Sequence, residues 1–201
     1  MTKMQQAIAL AKSKMVLTPQ DLSDRDIPRQ YIYRLEKLGL IEKDSSGLYS
    51  CTEGAFDQYW NYVQVAKKIP DGVICLLSAL YLHDMTTAAP SRIWVAIPPS
   101  RYCPKFDYPQ VQYVTMSGKY KSEGIETRKT EGGEIIKVFN PAKTVADCFR
   151  FRNKVGTDVA AAALKDYWRE GKGTLGELAK YSEICQVRNV MKPYLEMLLA
   201  E

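Results

Sequence analysis

The chain of 201 residues has a single histidine, His83, and its five cysteines, at 51, 75, 103, 148 and 185, include no CxxC pair. Zinc sites of the usual kind need several cysteines or histidines at short spacing, so no metal set is expected. His83 closes an apolar stretch, with Asp84 beside it and Ser78 five positions back. A lone histidine there is expected to cap or pack; no catalytic residue and no enzymatic activity are expected. An odd, scattered set of thiols without a signal-like leader predicts free cysteines in a reducing, cytoplasmic setting. The most apolar run, about 73–82, has roughly half the ~20 residues that a membrane-spanning helix needs, so no membrane partner is expected.

Other signatures are missing too. Gly171-Lys172-Gly173-Thr174 lacks the long glycine spacing of a phosphate-binding loop and reads as a helix connection. A restriction-type metal nuclease needs an acid and a lysine two residues apart on a strand. Glu134 and Lys137 are three apart, which sends them to opposite faces. Glu126 and Arg128 have the right spacing, but arginine cannot act as a base. No cofactor is expected.

What remains is a globular composition, 46% apolar and 25% charged, with a net charge of +5. The length fits one large or two small domains. The mild basicity permits a polyanionic partner without requiring one.

The most informative stretch is 16–51, VLTPQDLSDRDIPRQYIYRLEKLGLIEKDSSGLYSC. Thr18-Pro19 opens a short helix, with threonine as cap and proline at the first helical position. A polar break at 23–26 follows, and Pro28 starts a second helix that stops at Gly39. Ile32, Leu35 and Leu38 are expected to form its buried stripe, leaving Arg29, Gln30, Tyr33, Arg34 and Lys37 on other faces. Leu40-Ile41 and Leu48-Tyr49 flank Asp44-Ser45-Ser46-Gly47, a short hairpin. A helix over about 2–13, with Ile8, Leu10 and Ala11 inward, completes a core. This pattern predicts a winged helix-turn-helix, whose second helix commonly enters the major groove. Arginine suits guanine, glutamine suits adenine, and lysine neutralises phosphate. Thr18 and Gln20 are placed to reach phosphate from the preceding helix, and Lys43, Ser45 and Ser46 from the wing. Residues 1–50 hold eight Lys or Arg against six Asp or Glu, so non-specific attraction from this part is modest.

A helix over 55–68, with Phe56, Tyr59, Trp60 and Val63 in one stripe, leads to a break at Ile69-Pro70-Asp71-Gly72. The expected domains are therefore 1–71 and 72–201. Beyond the break, 72–83 reads as a buried helix, 92–97 and 111–116 as strands, and 124–129 with 134–139 as a hairpin. Asn140-Pro141 caps a helix over 142–152. Further helices are expected over 157–170, after the capping box Thr174–Glu177, and over 188–199 with Pro193 inside. Strands before helices predict an α+β second domain with a small sheet and C-terminal helices. Asp147 is spaced to pair with Lys143 or Arg150, worth about 0.2–0.5 kcal/mol each if exposed. The alternative is an anion patch of Lys143, Arg150, Arg152 and Lys154.

Three stretches carry a resemblance: VICLLSALYLHDMT at 73–86, RIWVAIP at 92–98 and NPAKTVADCFRFRNKVGTDVAAAALKDY at 140–167. Together they resemble the AbiEi-type antitoxins, predicted transcriptional regulators of bacterial viral-defence loci, over nearly the whole length. The resemblance implies an N-terminal winged helix that binds inverted repeats of double-stranded DNA in its own promoter. It also implies a C-terminal domain that counteracts a nucleotidyltransferase toxin without a stable complex, a type IV system. By position, the family signature corresponds to Ser78, Lys143, Thr144, Asp147, Arg150, Arg152 and Asp158. This wing departs from the family's more basic pattern, offering Lys43 and two serines. That shifts operator affinity toward the second domain or toward two copies on adjacent sites. The rival reading is an adaptor that neutralises a toxin by direct contact and never binds DNA.

Overall fold

The computed structural model describes residues 2–14, 16–44, 47–51, 59–130 and 134–200. The chain has a mixed α+β architecture: a small antiparallel sheet, a mixed sheet, and helices. It divides into two units. One comprises Met1–Pro70, Pro104–Pro109 and Arg128–Ile136; the other comprises Asp71–Cys103, Gln110–Thr127 and Lys137–Glu201.

In the first unit, Thr2 and Gln5 form a reciprocal cap for α1 (Lys3–Ser13). Ala7, Leu10 and Ala11 are its buried face, whereas Ile8 is only half-buried. β1 (Val16–Leu17) follows, then α2 (Pro19–Ser23), with Pro19 in its first turn and Thr18 and Asp21 capping each other. α3 (Gln30–Lys37) begins after Pro28-Arg29 and ends before Gly39, whose φ of +69° is the left-handed conformation that favours glycine. β2 (Ile41–Lys43) and β3 (Tyr49–Cys51) complete an antiparallel sheet of order β1-β3-β2, with Leu17 opposite Tyr49 and Ile41 opposite Cys51.

Leu10, Leu17, Leu22, Ile32, Leu35 and Ile41 form the centre of this unit's core, each at most 1% exposed. Leu38 does not belong to it. At the C-cap of α3 it is 60% exposed, and Leu40, beyond the turn at Gly39, packs on the core instead. The three-residue spacing that suggested a buried Leu38 drifts off the buried face, because a helix repeats every 3.6 residues.

α4 (Trp60–Lys68) also departs from its expected stripe. It buries Tyr62, Val63 and Val65, while Tyr59 and Trp60 are half-buried. Phe56 lies outside the described residues. Two later segments join α4: Lys68 donates to the Lys105 carbonyl at 2.8 Å, and Arg128 donates to the Tyr59 hydroxyl at 2.8 Å.

The second unit opens with a strand where a continuous helix was expected. Val73 and Ile74 form β4, and α5 starts only at Leu76 (Leu76–Leu82). Leu76, the first residue of α5, has a φ of +48°, a left-handed conformation uncommon outside glycine. A two-residue strand buried on both faces has no alternation that would separate it from a buried helix. β5 (Ile93–Ile97) and β6 (Val111–Thr115) follow, then a short α6 (Lys119–Ser122) that the sequence pattern did not suggest. β7 (Ile125–Lys129) and β8 (Ile135–Phe139) are adjacent in a sheet of order β6-β5-β4-β8-β7. β4 runs antiparallel to β5 and parallel to β8, and β5 runs parallel to β6.

α7 (Pro141–Arg150) is the hub of this unit. Asn140 caps it by accepting from the Lys143 amide at 2.8 Å, and every residue from 142 to 149 is buried. It packs against α5, α9 (Thr157–Arg169) and α10 (Leu175–Ile184). The helix expected to run through 152 is interrupted at Phe151, after which α8 (Arg152–Val155) begins. α11 (Arg188–Ala200) accommodates Pro193.

Candidate nucleic-acid interface

α3 presents a solvent face opposite the buried Ile32 and Leu35. Gln30, Tyr33, Arg34 and Lys37, at spacings of three and four, share one side, with Arg29 at the helix start. All five are exposed. The Arg34 guanidinium lies 5.0 Å from the centre of the Tyr31 ring, a cation–π contact that restrains its direction. Tyr31 was not singled out from sequence, although an aromatic three residues before an arginine on a helix is a readable signal. Among the described residues no ion pair holds Arg29, Arg34 or Lys37.

The other expected contacts differ in availability. Thr18 is committed to the cap: its hydroxyl donates to Asp21 Oδ2 at 2.6 Å and accepts from the Asp21 amide at 3.3 Å. Gln20 is exposed and donates to Asp24 at 2.7 Å. Lys43 is exposed, with its ammonium 5.8 Å from the Tyr49 ring centre. Asp44 accepts from the Leu48 amide at 2.9 Å and anchors the hairpin. Ser45 and Ser46 lie outside the described residues.

The same unit holds a charge cluster that sequence reasoning did not find. Asp21 accepts from Lys14 at 2.7 Å and from Lys67 at 3.1 Å, and Lys67 also lies 3.1 Å from Glu134. Burial pushes the Asp21 carboxyl up, but the bonds from Lys14 and Thr18 outweigh it and hold it at about 2. Lys14 and Glu134 are 120 positions apart, so no local pattern reveals the cluster.

The signature residues of the second unit are mostly interior. Ser78 is fully buried, accepts from the Trp94 amide at 2.9 Å and donates to the Arg92 carbonyl at 3.4 Å. Thr144 donates to the Phe139 carbonyl at 3.1 Å. Lys143 and Asp147 form an ion pair with neither side chain exposed. The small stabilisation of an exposed pair therefore does not apply, and Lys143 does not belong to a surface anion patch. Burial pushes the Asp147 carboxyl up, opposed by Lys143. The Cys185 thiol donates to the other Asp147 oxygen at 3.2 Å, and burial pushes that thiol up to about 12. Cys75 and Cys148 are raised by burial as well, so these thiols stay protonated. Arg150 and Arg152 are half-buried, while Lys154 and Asp158 are exposed. His83 bonds the Phe139 carbonyl through Nε2 at 2.7 Å, a structural role. Among the described residues no three His, Cys, Asp or Glu side chains gather as metal ligands, and no helix is long and apolar enough to cross a membrane.

No family model and no curated protein matches the chain. Among solved structures it is similar to the RV2827C protein from Mycobacterium tuberculosis, with a TM-score of 0.58 at 15% sequence identity. The match covers 90% of this chain and 71% of that one. At that identity the likeness shows the fold alone.

Proposed function

We propose that this chain is a DNA-binding transcriptional repressor and antitoxin of the AbiEi type, with a winged helix-turn-helix as its N-terminal reader. The observation that carries the reading is the exposed face of α3, which presents Arg29, Gln30, Arg34 and Lys37 with no ion pair to the three cations among the described residues. A helix with that face fits the major groove, and the β2–β3 hairpin is the wing. Arg34 and Gln30 are the candidates for base edges, Arg29 and Lys37 for phosphates. The antitoxin role rests on the resemblance of 73–86, 92–98 and 140–167 to that family. In this reading the chain represses its own operon, acts in the cytoplasm, and counteracts a nucleotidyltransferase without a stable complex. Ser78, Thr144 and the Lys143–Asp147 pair serve the fold of the antitoxin domain.

Footprinting of the region upstream of its own gene tests the first half: protection of an inverted repeat is expected, and a blank footprint would exclude it. Tyr33 and Leu38, 55% and 60% exposed on α3, favour a second reading, an adaptor that meets a protein through this face. A complex with the neighbouring gene product that survives high salt would support the adaptor.

A further inference from the structure

We infer that the second unit holds a binding site for a nucleoside phosphate, in the cavity between the end of α7 and the segment after β6. The cavity has a volume of about 460 Å³, within the range of small-molecule sites. Ten residues line it and none carries a carboxylate. Its cationic wall is made by Arg150 and Arg152. Two residues apart on a continuous helix, they would point away from each other. The interruption at Phe151, between α7 and α8, brings both to one cavity.

Both guanidiniums are pre-positioned. Arg150 donates to the Cys185 carbonyl at 2.8 Å and stacks on the Tyr120 ring, 3.9 Å from its centre. Arg152 donates to the Phe149 carbonyl at 3.0 Å. Each guanidinium has five N–H donors, so one such bond leaves a fork for a phosphate. Asp147 is the carboxylate that interacts with Arg150, but Lys143 and the Cys185 thiol already take its oxygens. The buried pair thus keeps Asp147 from cancelling the charge that Arg150 presents. Thr115, Ser117 and Gln186 add neutral hydrogen-bonding groups, and Phe151, with the Lys154 ammonium 5.7 Å from its ring centre, is the aromatic lining residue beside the two arginines toward which a base would lie. Phosphate on the two arginines with the base toward Phe151 uses both kinds of wall. The assignment does not depend on DNA binding by α3.

Isothermal titration of the full chain with the four common nucleoside diphosphates, adenosine and inorganic phosphate tests it. At least one diphosphate is expected to bind more tightly than inorganic phosphate, and adenosine is expected not to bind. Arg152→Gln is expected to weaken that diphosphate tenfold or more while leaving the circular-dichroism spectrum unchanged. Gln186→Ala, which also lines the cavity, is the second variant should Arg152→Gln fold poorly, and a severalfold loss is expected. No binding by any diphosphate, equal affinity for inorganic phosphate, or undiminished affinity in a folded variant would overturn the proposal. So would a short oligonucleotide that binds more tightly than any diphosphate with the same dependence on Arg152, since that would assign the cavity to a polynucleotide.

Discussion

The Lys143 ammonium lies 2.5 Å from an Asp147 carboxylate oxygen in an interior that leaves neither side chain exposed. One turn of α7 separates them, so the helix itself sets the pairing. Removing only the lysine leaves a buried acid without its counter-charge. Lys143→Met is therefore expected to destabilise the chain by about 3–5 kcal/mol. The double variant Lys143→Met, Asp147→Leu is expected to recover most of that, because it removes both desolvated charges. Urea unfolding of the three proteins checks this. A single variant as stable as the parent would show that the pair is dispensable.

Acid is expected to weaken the cluster in the N-terminal unit. Burial raises Asp21, yet the bonds from Lys14 and Thr18 hold the folded carboxyl at about 2, below its ordinary 3.8. Between these values the unfolded chain binds more protons, so stability rises with pH across the window. The contribution is complete above about pH 5 and is lost as pH falls toward 2; its size is on the order of 2 kcal/mol. Asp21→Asn should flatten that part of the stability profile. Unfolding midpoints measured from pH 6 to pH 2 would expose the difference, and parallel profiles for the two proteins would refute it.

Leu35 in α3 and Leu38 at its C-cap lie three positions apart and have opposite fates, one fully buried and one 60% exposed. Leu35→Ala is expected to cost about 2–5 kcal/mol. Leu38→Gln should change stability by no more than about 0.5 kcal/mol. Thermal melts distinguish them, and a large loss for Leu38→Gln would mean that its side chain is covered. If Leu38 instead seats a protein partner, the same variant weakens that complex without touching stability.

Local chemistry made much of the fold legible. Thr18-Pro19, Asn140-Pro141 and the pair Thr174 and Glu177 mark helix starts because caps are satisfied within a few residues. β5 stands out as an apolar run, and β6 as a short stretch of β-branched and aromatic residues. Leu38 was misplaced by the local 3.6-residue period, but other failures arise because distant chain decides them. Val73-Ile74 becomes a strand only because β5 and β8 flank it. The stripe of α4 shifts as Tyr62 and Val65 become buried, and residues 104–109 and 128–136 join that unit from far along the chain. For the candidate interface, the exposed positions of α3 and the capping role of Thr18 were readable from local pattern, whereas the ion cluster that joins Lys14, Asp21, Lys67 and Glu134 required coordinates. The break at Phe151, which sets the two arginines on one cavity, had no glycine or proline to announce it.

The reading that α3 enters a DNA groove is tested most directly by fluorescence anisotropy at fixed salt. The full chain is titrated against a labelled duplex from its own upstream region and against a scrambled duplex, with Arg34→Ala alongside. The parent is predicted to prefer the upstream duplex, and the variant to lose about 1–3 kcal/mol of that binding. Equal affinity of the parent for both duplexes, with no change in the variant, would contradict it.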